Sequence, residues 1–162
     1  MYPYYPTDNP SKFGFITDKG ISYIVEFSDA SGYFESSCPP IEGVSFNPIG
    51  RKNGKDEKIA STIVEIIKYR CKAQNNAVVY VCNQSGDKSR SKLFKGWNGM
   101  FNGGEFHFQP PIIEYPIPDT DTSKGCTGKI YTGIIIDTKN KHAHTYLQEF
   151  TSSLQFISGK LN

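Results

Sequence analysis

Apolar and polar positions alternate from the start of the chain. Phe13-Gly14-Phe15-Ile16, the polar break Asp18-Lys19-Gly20 and the alternating run Ile21-Ser22-Tyr23-Ile24-Val25-Glu26-Phe27 predict strand, tight turn and strand, a β-hairpin. Tyr33-Phe34-Glu35 and Val44-Ser45-Phe46 are short runs that would extend it into an antiparallel meander. Before the hairpin, the first ten residues hold three prolines and three tyrosines. Proline disfavours both helix interiors and central strands, so residues 1–12 read as an extended Tyr/Pro arm that lies on the domain or reaches a partner.

The period changes after Arg51-Lys52-Asn53-Gly54-Lys55. Ile59, Ala60, Ile63, Val64, Ile66, Ile67 and Cys71 recur at helical spacing, with Lys58, Ser61, Glu65, Lys68 and Lys72 opposite. Asp56 suits the N-terminus of that helix, where its oxygen can accept an orphan backbone N–H and its charge meets the positive dipole end. Ala77–Cys82 is short and continuously apolar, as expected of a central strand covered on both faces. A second helix is predicted from about Asp87 to Trp97. Glu105–Phe108, Ile112–Tyr115 and Lys129–Ile136 read as strands, and a last helix from about Lys141 to Ser158 would bury Ala143, Tyr146, Leu147, Phe150, Leu154 and Ile157. Strands interspersed with three helices give an α+β fold, a mostly antiparallel sheet with about three helices packed on it. Residues 13–162 form one domain, since 162 residues match a single ordinary domain.

Composition supports the sheet: Ile occurs 17 times and Leu 4, and aromatic residues number 22. The net charge of +2 conceals an uneven distribution, with −4 over residues 1–50, +7 over 51–100 and −1 over 101–162. No run is long and apolar enough to span a bilayer, and the N-terminus has neither the basic start nor the apolar run of a secretory signal, so the expected setting is the cytoplasm. Cys38, Cys71, Cys82 and Cys126 are widely spaced and read as free thiols.

Helical projection separates the basic residues into two kinds. Lys58, Lys68 and Lys72, and Lys88, Lys92 and Lys95, face solvent, whereas Arg70 and Arg90 turn toward apolar neighbours and need an anionic or carbonyl partner. Arg70 lies near a helix C-terminus, where it can cap carbonyls. Ser85 and Gly86, at the start of the second helix, with Lys88 and Arg90, form a candidate cradle for a phosphate or carboxylate. Asp87 in that first turn can satisfy the same dipole, which gives a structural alternative of helix cap and salt bridge. Asp56 and Asp87 are the candidate acid or base. The basic middle third admits a nucleic-acid partner only if the two helices lie side by side and merge their lysines. No metal set or cofactor motif emerges: His142 and His144 diverge on a helix, Asp119–Ser123 lacks the glycine and glutamate of a calcium loop, and no base stands beside a Ser or Cys.

Thr17–Phe27, Asp56 with Ile59, Thr62 and Ile63, and Val79–Cys82 followed by Arg90, Leu93, Phe94 and Trp97 resemble a family of small bacterial proteins catalogued only as a domain of unknown function. The resemblance covers roughly residues 13–100 and implies a single cytosolic domain without an assigned activity. Two functions stay open at this point. The first is a non-catalytic module binding a protein partner or an anionic ligand; the alternative is an enzyme acting on a phosphorylated or nucleic-acid substrate through Arg90, Lys88 and Asp56 or Asp87.

Overall fold

The computed structural model describes residues 1–33, 40–49, 56–82, 96–97, 99–101, 103–109, 112–116 and 127–160. Its strands are β1 (Tyr4–Pro6), β2 (Lys12–Ile16), β3 (Ser22–Asp29), β4 (Ile41–Ile49), β5 (Ala77–Cys82), β6 (Phe106–Gln109), β7 (Ile112–Pro116) and β8 (Thr127–Asp137). The two long helices are α1 (Glu57–Gln74) and α2 (Ala143–Lys160), with a 3-10 turn at Ser31–Tyr33. The described strands form one sheet in the order β1-β2-β3-β4-β5-β8-β6, with β7 also on β8. All neighbours are antiparallel except β4 and β5. The α+β expectation therefore holds.

The predicted hairpin is β2–β3, paired from Lys12↔Glu26 to Ile16↔Ser22. Its turn needs Gly20, whose φ of 72° is the left-handed conformation that a side chain disfavours. The Gly20 N–H donates to the Thr17 carbonyl at 2.8 Å. β4 extends the meander from Ser22↔Ile49 to Asp29↔Glu42. Of the Tyr33–Glu35 run, Tyr33 ends the 3-10 turn, while Phe34 and Glu35 lie outside the described residues. The arm does not project: β1 adds an edge strand to β2, and Tyr2 is buried.

α1 begins at Asp56, whose Oδ1 accepts the Lys58 N–H at 2.9 Å, and ends at Asn75 in the left-handed conformation. It buries Ile63, Val64, Ile66, Ile67 and Cys71 against Phe13, Phe15, Val25, Val78, Tyr80 and Ile135. α2 lies on the opposite face, where Tyr146 and Phe150, with Ala143 and Leu147, pack on Ile41, Ala77, Val79, Ile134 and Ile136. The side chains of Leu154 and Ile157 lie outside the described set. The helices thus cover both faces rather than forming one layer. β5 is central, as its unbroken apolar run requires, between β4 and β8 and between α1 and α2. Of the second predicted helix, about Asp87 to Trp97, the positions up to 95 lie outside the described residues; the described positions 96–97 and 99–101 are helical.

Candidate functional site

β4, α1 and β5 form a β-α-β unit whose two strands pair in parallel over Ile41–Gly43 and Ala77–Val79. Beyond that point β4 continues along β3 to Ile49, and β5 continues along β8 to Cys82. The strands therefore part toward their carboxyl ends. In open sheets with parallel strands, that end is where crevices take ligands. Phe46 of β4 meets Trp97 on the α1 side, ring centroids 5.5 Å apart.

The closed end of the crevice is clamped by charge. Arg70, in the last turns of α1, donates to Glu42 twice, Nε to Oε2 at 2.8 Å and Nη2 to Oε1 at 2.6 Å, and to the Pro10 carbonyl at 3.1 Å. Asn76, just before β5, donates to Glu42 Oε2 at 2.8 Å. Burial pushes the Glu42 carboxyl up, but the bonds from Arg70 and Asn76 and the guanidinium charge prevail and hold it below its ordinary value. Arg70 is therefore not a carbonyl cap of its own helix: it ties α1, β4 and the start of β5 together.

At the open end stand the β2–β3 turn and the N-terminus of α1, joined by Tyr2. Its backbone N–H donates to Thr62 Oγ1 at 2.7 Å, and its phenol donates to Asp56 Oδ2 at 2.8 Å, with Asp18 Oδ2 at 3.4 Å. Lys58 Nζ donates to Asp18 Oδ2 at 2.7 Å. That bond lowers the Asp18 carboxyl, while burial and the bond to Asp56 raise the Tyr2 phenol. Asp56, a candidate acid or base by sequence, has both oxygens engaged: Oδ1 caps the helix and Oδ2 accepts the phenol. The arrangement makes it an anchor for the N-terminal segment.

Ser85, Gly86, Asp87, Lys88 and Arg90 all lie outside the described residues. The described lysines of α1 do not form a common stripe. Lys58 is bound to Asp18, Lys72 to Glu105 at 3.2 Å, and Lys68 lies over the rings of Phe101 and Phe106. An open depression of about 430 Å³ runs beside the last two, lined by Glu65, Lys68, Tyr69, Lys72, Ala73 and Glu105. Among the described residues no group of His, Cys, Asp and Glu could hold a metal ion, and no helix is long and apolar enough to cross a membrane. Cys71 is free and buried, and burial pushes its thiol far above the ordinary value. The sequence reading missed Tyr2, Asp18, Glu42 and Asn76. Each lies in an unremarkable local pattern, and only long-range packing gives it a partner.

No protein-family model matches the chain, and no curated protein does. A solved structure is similar in fold, a crystal structure described as that of a putative phosphinothricin N-acetyltransferase. The TM-score is 0.41 at 13% identity, and the alignment covers 75% of this chain and 66% of that one, just under two thirds of its length. The expectation of a non-catalytic binding module is corrected only to this extent: the similar structure is described as an enzyme, and a likeness at this TM-score assigns no activity to this chain. Arg70, one of the two inward arginines, is paired with Glu42, while the candidate anion cradle lies outside the described residues.

Proposed function

We propose that this chain is a group-transfer enzyme that holds an extended acyl carrier in the crevice between β4 and β5. The observation that supports the reading is the short parallel pairing, three residues on each strand, followed by divergence toward the carboxyl ends. Two parting strand edges turn their backbone N–H and C=O groups toward the gap. The ligand chemistry that fits such edges is a narrow extended chain carrying amides, which can take the place of a strand. The pantetheine arm of a coenzyme A thioester has that chemistry. Acyl transfer is also named in the description of the solved structure, although a likeness at that TM-score adds no weight. The reading assigns a binding crevice and no catalytic residue. It carries with it a cytoplasmic setting, in which a free thiol such as Cys71 stays reduced.

Acetyl-coenzyme A titrated into the full chain tests it. Binding should stabilise the fold by about 2.7 kcal/mol when the ligand exceeds its Kd a hundredfold. Hydrogen exchange should slow at residues 44–47 and 80–82, the two strand segments beyond the parallel pairing. No thermal shift at millimolar ligand, or protection confined to other segments, would overturn the reading.

A further inference from the structure

α1 buries Ile63, Ile66, Ile67 and Cys71 on the sheet and turns two further rows of side chains outward. Glu65, Tyr69 and Ala73 form one row at a spacing of four, and Lys68 and Lys72 form the other. The depression of about 430 Å³ lies along these two rows, with Glu105 also lining it. It is therefore outside the crevice between β4 and β5 and does not depend on what that crevice holds. Its walls are braced from behind. Tyr69 is 50% exposed, yet its ring meets Tyr4 and Phe13 edge to face, with centroids 6.5 and 5.8 Å away. Lys68 Nζ stands 5.9 Å from the centroid of Phe101 and 5.8 Å from that of Phe106, both buried rings. Ala73, one turn along from Tyr69, leaves the room that a longer side chain would fill.

The charges around the depression are unequally used. Lys72 and Glu105, both exposed, pair with each other at 3.2 Å. Glu65 and Lys68 are the half-buried charges of the set, and neither forms an ion pair among the described residues. Side chains three residues apart on a helix can meet, but these two diverge. Lys68 is drawn over Phe101 and Phe106, and Glu65 lies toward the arm, where its charge adds to burial in raising the Tyr4 phenol. A carboxylate and an ammonium partly withdrawn from water and held apart match a ligand that carries the two opposite charges side by side. We propose that this depression binds an aromatic α-amino acid, with its carboxylate on Lys68, its ammonium on Glu65 and its ring on the open face of Tyr69. A ligand with negative charge alone would bring it against Glu65 and Glu105, and one with positive charge alone against Lys68 and Lys72, so the site selects against both.

Tryptophan titrated into the full chain to about 30 mM, followed by the backbone amide shifts of residues 65–73 and Glu105, tests this. A ligand of about 15 non-hydrogen atoms at ordinary efficiency binds with a Kd on the order of 1 mM. Tryptamine lacks the carboxylate and indolepropionate lacks the ammonium; each should bind about tenfold more weakly, the weight of one charged hydrogen bond. Alanine, with both charges and no ring, should also bind about tenfold more weakly. Lys68→Met should weaken tryptophan and indolepropionate and leave tryptamine unchanged. Glu65→Gln should weaken tryptophan and tryptamine and leave indolepropionate unchanged. This crossed pattern separates recognition from damage to the helix, which would weaken all three ligands alike, and an unchanged thermal midpoint shows that each variant folds. Absence of shifts at these amides, or shifts confined to other residues, would overturn the proposal. So would either variant weakening all three ligands equally.

Discussion

Arg70→Met is the substitution whose consequence the structure specifies most closely. The Arg70 and Glu42 side chains are 10% and 15% exposed, so the pair is largely withdrawn from water. Removing the guanidinium leaves the Glu42 carboxylate buried with Asn76 as its named donor. Stranding one member of a buried pair costs about 3–5 kcal/mol, a third or more of an ordinary domain's stability. Glu42→Leu should cost a similar amount for the stranded guanidinium. The double variant removes both charges and leaves the Pro10 carbonyl and the Asn76 amide without these bonds, at about 1 kcal/mol each, so it should cost about 2 kcal/mol. The singles and the double therefore do not add. Urea unfolding of the four proteins measures this, and pH supplies a second readout. In the natural chain Glu42 is held below its ordinary value, so its contribution is present above the unfolded-state pKa and is lost as pH falls through the folded one. In Arg70→Met burial dominates and the carboxyl rises, so that variant gains relative stability as acid protonates it. The gap between the two should be widest near neutrality and narrow toward pH 4. A cost for Arg70→Met below about 1 kcal/mol, or a gap that does not change with pH, would refute the assignment.

Other substitutions probe the remaining joints. Gly133→Ala should destabilise by about 1–3 kcal/mol in a urea melt, because its methyl would enter the ring of Tyr80, which is buried and cannot swing aside. Asp56→Ala removes the α1 cap and should cost about 1 kcal/mol. It should also raise hydrogen exchange at residues 1–6, since the carboxylate that holds the Tyr2 phenol is gone; unchanged exchange there would separate the arm from the cap. Cys71 should resist alkylation in the folded chain and react on unfolding, as read by mass mapping of its peptide, because burial keeps its thiol protonated and out of reach.

Local chemistry was enough for much of this fold. The Thr17–Gly20 turn between alternating runs determined the β2–β3 hairpin, and the apolar arc from Ile59 to Cys71 behind Asp56 determined α1 and its cap. The unbroken run at Ala77–Cys82 determined a strand buried on both faces. Periodicity and capping act over a few residues, so they can be read from the chain in order. The partners of Arg70 could not. A helical projection shows that Arg70 turns inward, but Glu42 lies 28 residues away and reaches it only because β4 and β5 run parallel with α1 crossing between them. The same long-range pairing decided that α1 and α2 take opposite faces, that the strands part beyond Gly43 and Val79, and that Tyr2 bridges Asp18 and Asp56. The physical reason is that a sequence fixes which side of its own strand or helix each residue occupies, while the identity of the neighbour across the gap depends on sheet order and register, to which residues far apart in the chain contribute jointly.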